Sequence, residues 1–127
     1  MHIRRLASTA LLAVSATLSV AAVPAMHLRL VKAEPAADST VTVAPQEIRL
    51  FFSQEPEVRA TRITIVDDSR NEIAVAAARA DAKDGKIVIV PITGALVSGS
   101  YTVSWRTMAK DGHAVNGIFN FALRAAD

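Results

Sequence analysis

The segment "SYTVSWRTMAKDGHAVNGIFNFAL", Ser100 to Leu123, decides the fold. Tyr101, Val103 and Trp105 fall on one face of an alternating run, while Thr102, Ser104 and Arg106 fall on the other. That period of two is the signature of a half-buried β-strand, and it makes Trp105 a core residue. Beyond the polar "KDGH", alternation resumes in "GIFNFAL" (117–123), with Phe119, Phe121 and Leu123 as the inward set.

The same pattern extends toward the N-terminus. Strands are expected at 28–33, 40–43, 47–52, 60–68, 86–92 and 100–108, each bounded by Pro, Gly, Asp, Asn or Ser. The segment 72–80 is rich in alanine, which favours helix, but nothing caps it and its neighbours are strands, so an edge strand is expected. Asp84-Gly85 suits a primed hairpin turn. Strands spaced by about 8–12 residues with polar turns indicate an antiparallel β-sandwich or Greek-key barrel.

At the N-terminus, "MHIRR" is followed by an uncharged apolar run and then by the small residues Val23 and Ala25. A basic start, an apolar stretch and a small-residue end are the three parts of a secretory signal peptide, here expected over residues 1–25 or 1–26. An uncleaved membrane anchor is the alternative, since the apolar run approaches the lower limit for a spanning helix. Cleavage removes Arg4 and Arg5 from the 14 Lys and Arg side chains, leaving 12 to balance 12 Asp and Glu. The mature domain, 27–127, is therefore formally neutral. Without a basic surface interleaved with aromatics, nucleic acid is not an expected partner. The chain has no cysteine, so neither a disulfide framework nor a thiolate metal site is available to it.

After cleavage two histidines remain, His27 and His113. In "DGH" alone, Asp111 and His113 read first as a solvated turn. An N-terminal histidine changes the weighing, because its α-amine and imidazole can close a chelate ring on one ion. With the His113 imidazole and an Asp111 oxygen, the set is three nitrogens and one oxygen, a tetragonal set that suits Cu(II) better than Zn(II). Gly112 would let the chain bring its two neighbours to one ion. Other acidic clusters, Glu55 with Glu57 and Asp67 with Asp68, read as solvated turns.

Residues 27–54, "HLRLVKAEPAADSTVTVAPQEIRLFFSQ", and 99–123, "GSYTVSWRTMAKDGHAVNGIFNFAL", together resemble the opening and closing signatures of the CopC family of periplasmic copper-binding proteins. The resemblance implies an all-β, cupredoxin-like (Ig-like) Greek-key barrel or sandwich of about seven to eight short antiparallel strands. It also implies a Cu(II) site of His27, Asp111 and His113, one ion per chain. The function implied is non-catalytic: a periplasmic carrier or reservoir in copper resistance or homeostasis. Its partner would be a CopD-type inner-membrane copper transporter, and a monomer is expected.

The chain departs from the family in three places. Met1 lies in the leader and Met26 at its end, so Met108 is the one methionine inside the domain, and the methionine-rich Cu(I) site of some relatives is not expected. Ala114 stands where the family often has Pro. The small-residue rule favours cleavage after Ala25, which leaves Met26 ahead of His27, whereas the chelate needs cleavage after Met26. Two other functions compete. One is a metal-free β-sandwich interaction module. The other is a copper-dependent oxidative enzyme resembling lytic polysaccharide monooxygenases, against which stand Asp111, filling a position that oxygen needs, and the scarcity of aromatics.

Overall fold

The computed structural model describes residues 15–19 and 27–126. The expected leader cleavage point, after Ala25 or Met26, lies outside the described residues, as does most of the leader. Nine strands are described: β1 (Leu30–Glu34), β2 (Ser39–Val41), β3 (Glu47–Phe52), β4 (Arg62–Asp67), β5 (Glu72–Ile73), β6 (Arg79–Ala80), β7 (Ile87–Pro91), β8 (Gly99–Met108) and β9 (Ala114–Leu123). They form two sheets, ordered β1-β3-β7-β6 and β2-β9-β8-β4-β5, packed face to face as a sandwich.

Alternation in the sequence becomes the two sides of each sheet. In β3, Ile48, Leu50 and Phe52 are buried while Glu47, Arg49 and Phe51 are not. In β8 and β9 the buried set is Tyr101, Val103, Trp105, Thr107, Phe119, Phe121 and Leu123. The two strands pair over ten residues, from Gly99 opposite Leu123 to Met108 opposite Ala114. This hairpin presents the "KDGH" turn at one end of the sandwich. Gly117 faces Trp105 across the hairpin, and a Cβ there would lie 2.7 Å from the indole Cζ2. Only glycine leaves the ring that space. Trp105 also meets Phe52 of the opposite sheet edge to face, with centroids 5.5 Å apart, so the core reading of Trp105 holds.

Four expectations need correction. β2 pairs with β9 in parallel, Ser39 opposite Phe121 through Val41 opposite Leu123, so the sandwich is not wholly antiparallel. The chain reaches this edge by crossing from the other sheet, and a strand not joined to its neighbour by a hairpin has no obligation to run against it. The segment 72–80 is not one strand: β5 extends β4 and β6 extends β7, one at the edge of each sheet, with a single bridge between Val75 and Ile92. Its alanines carry too little apolar surface to hold the whole segment as one strand in either sheet. That division raises the strand count from the expected seven or eight to nine among the described residues. Neither Asp84 nor Gly85 has the positive φ that a primed turn requires. Instead the Asp81 carboxylate accepts the N–H groups of Lys83 and Asp84 at 3.0 and 3.1 Å, and Asp84 accepts that of Lys86 at 3.0 Å.

These side-chain turns tie stability to pH. Asp67 accepts N–H groups from Asn71 and Ser69, each at 2.9 Å, and the bond from Asn71 does most to hold its carboxyl below the ordinary 3.8. Asp81 is held below 3.8 chiefly by the Lys83 N–H, with Asp84, Arg49 and Arg79 adding to it. A carboxyl with a lower pKa folded than unfolded stabilises the fold above the ordinary range and loses that contribution as pH falls through the folded value. The melting temperature is therefore expected to fall with acidification below 3.8. Asp67→Asn should flatten that limb, as thermal melts across an acid series would show. An acid limb with the same slope in the variant would contradict the assignment.

Candidate metal centre

The loop between β8 and β9 is five residues, 109–113, closed by its own backbone. The Ala109 N–H donates to the His113 carbonyl at 2.8 Å, and the Gly112 N–H donates to the Ala109 carbonyl at 2.9 Å. Gly112 has φ +92°, in the region that favours glycine, although a Cβ there would meet nothing within 4 Å. The backbone conformation, not crowding, calls for glycine.

That conformation folds Asp111 onto His113. One carboxylate oxygen accepts the His113 backbone N–H at 3.0 Å, and the other lies 2.9 Å from His113 Nδ1. The backbone bond from His113 does most to hold the Asp111 carboxyl below the usual range, with the imidazole bond second. A carboxylate at Nδ1 fixes the proton there and leaves Nε2 with a free lone pair, the usual way a metal-binding imidazole is oriented. The imidazole is 82% exposed, so an ion can reach it directly.

His27 approaches from the other sheet. Leu28 is buried in the core and anchors the segment. Ser53, at the end of β3, ties down its two sides: the hydroxyl donates to the His27 carbonyl at 3.3 Å and accepts the Arg29 N–H at 3.0 Å, and the Ser53 N–H donates to the Arg29 carbonyl at 2.9 Å. As a result His27, Gln54, Lys110, Asp111 and His113 line one open cleft of about 350 Å³ with Leu28 at its side. The structure thus brings the three residues singled out in the sequence to one cleft, but only Asp111 and His113 into contact. Among the described residues, no three His, Cys, Asp or Glu side chains are grouped closely enough to hold a metal ion.

Other residues around the cleft were not legible in the sequence. The Glu57 N–H donates to the Met108 carbonyl at 2.8 Å, and its exposed carboxylate lies 3.3 Å from Lys110 Nζ, so this solvated turn is also tied to the β8 end and to the loop. Pro56 beside it is buried. Nothing local marks a pair separated by this much chain.

Three comparisons agree with this architecture. Residues 30–124 match the CopC domain. The chain is 35% identical over 98 residues to Protein YobA of Escherichia coli strain K12, covering 77% of this chain and 79% of that protein. It is 32% identical over 122 residues to copper resistance protein C of Xanthomonas campestris pv. juglandis, covering 92% and 94%. The crystal structure of CopC from Methylosinus trichosporium OB3b superposes with a TM-score of 0.72 at 28% identity, covering 80% of this chain and 97% of that one. CopC-family copper-binding proteins are non-enzymatic and typically periplasmic, which removes the oxidative-enzyme alternative. A matched domain spanning most of the chain, a shared sandwich and a copper resistance protein aligned almost end to end place this chain in the CopC family of copper resistance proteins.

Proposed function

We propose that the chain is exported to the periplasm as a monomer and carries one Cu(II) ion per molecule in the cleft of His27, Asp111 and His113. The observation that carries this reading is the convergence of His27 and the Asp-Gly-His loop, from opposite sheets, on one solvent-open cleft. Processing to His27 would supply the α-amine and imidazole as a chelating pair. The His113 imidazole and the Asp111 carboxylate would complete a three-nitrogen, one-oxygen set suited to Cu(II). Asp111 is kept ionised by its bonds to His113, and its carboxylate would turn from Nδ1 to the ion as copper binds, because an oxygen at Nδ1 and a metal at Nε2 stand on opposite sides of the ring. Met108 is the one methionine among the described residues, too few soft ligands for Cu(I). Open exposure of every donor suits a carrier that must give up its ion, and a CopD-type membrane copper transporter is the partner with which it would exchange.

The test is a Cu(II) titration of protein recovered from the periplasm, followed by electron paramagnetic resonance. Saturation at one ion per chain with an axial, nitrogen-coupled spectrum is expected. A spectrum unchanged from copper in buffer would overturn the reading.

A further inference from the structure

Lys110 lies in the cleft wall, next to Asp111 in sequence, and brings a positive charge to a place proposed to receive a dication. Its ammonium is held 3.3 Å from the Glu57 carboxylate. Glu57 itself stands on a fixed base. Its N–H holds the Met108 carbonyl at 2.8 Å, and its carbonyl accepts the Thr61 hydroxyl at 3.1 Å. Thr61 is in turn bonded to Thr107 of β8 at 2.7 Å, both residues being buried. The acid therefore projects from an element pinned to β8, while the lysine projects from the exposed loop.

From this asymmetry we infer that Glu57 is a positioning residue for copper uptake, holding the Lys110 ammonium neutralised at the rim and away from the Asp111 carboxylate. The inference rests on the copper site proposed above. An exposed ion pair such as this one contributes little to stability, so its consequence lies in where the cation stands. Without Glu57, the Lys110 ammonium is released to swing toward the Asp111 carboxylate, which lines the same cleft. There it competes with the metal for an oxygen and repels an incoming dication. Both effects are Coulombic and shrink as salt screens them.

Glu57→Gln isolates the charge, because glutamine keeps the length of the side chain and the backbone bond to Met108. Cu(II) affinity, measured by competition with a chelator on the exported protein, is expected to fall by roughly three- to tenfold at low ionic strength. The deficit should shrink toward none near 1 M salt, where the screening length is about 3 Å. Adding Lys110→Gln to the first variant should restore the affinity, since no cation is then left to misplace. A merely structural role for Glu57 would give a deficit that salt does not change and the second substitution does not rescue, and that result overturns the inference. Unchanged affinity in Glu57→Gln also overturns it while leaving the copper site standing. A wild-type protein that binds no Cu(II) overturns both.

Discussion

Replacing His113 with alanine is expected to weaken Cu(II) binding by at least about a hundredfold and to leave the metal-free fold almost untouched. The lower bound follows from partners that merely orient a ligand, whose loss already costs about 10–100-fold in metal affinity. Under the proposed site the imidazole donates directly, and its loss should cost more. The fold is indifferent because the side chain is 82% exposed and its recorded partner is Asp111 in the same loop. The loop's closure is backbone to backbone, between Ala109 and His113, and survives the truncation. A surface change of this kind shifts stability by no more than about 0.5 kcal/mol, or a few degrees in melting temperature. Chelator competition and a thermal melt on the same sample separate the two effects. Equal affinity in the variant and the wild type would remove the loop from the site.

The second large effect lies in the core. Phe121→Ala is expected to destabilise the protein by about 3–5 kcal/mol, a large share of the roughly 5–15 kcal/mol that holds a domain together. Phe121 is 2% exposed and stacks on Tyr101 with centroids 5.3 Å apart. Tyr101 in turn bonds through its hydroxyl to the backbone of Val97, and Phe121 itself pairs with Ser39 of β2. Truncation thus opens a void under the β8–β9 hairpin and loosens the parallel edge beside it. Ile118→Ala on the same strand is the control, because Ile118 is 71% exposed and has little to lose. Denaturant midpoints should fall sharply for the first variant and barely for the second. Equal shifts would mean that the inward and outward faces of β9 had been assigned wrongly.

These two substitutions also mark what the sequence made legible. Where strands are long and one face is apolar, period-two alternation separates core from surface correctly. Tyr101, Val103 and Trp105 in β8 and Phe119, Phe121 and Leu123 in β9 are buried as expected, and Ile48, Leu50 and Phe52 in β3 follow the same alternation. Asp111 and His113 were equally legible, since one turn holds both. The alanines of 72–80 carry no such period, and their division between two sheets is set by β4 and β7 instead. The parallel pairing of the three-residue β2 is likewise fixed by β9, not by β2 itself. His27 reaches the cleft through bonds to Ser53, 26 residues away, and the Glu57–Lys110 pair spans still more chain. Contacts of that range leave no periodic trace, so the convergence of the cleft appears only with the fold.

The central proposal is that His27, as the first residue of the exported protein, shares one copper ion with Asp111 and His113. A native mass spectrum of protein exported by the cell, taken with one equivalent of Cu(II), tests it most directly. A mass beginning at His27 with one copper retained is expected. A mass beginning at Met26 with no copper retained would contradict it and leave the Asp-Gly-His segment as a turn alone.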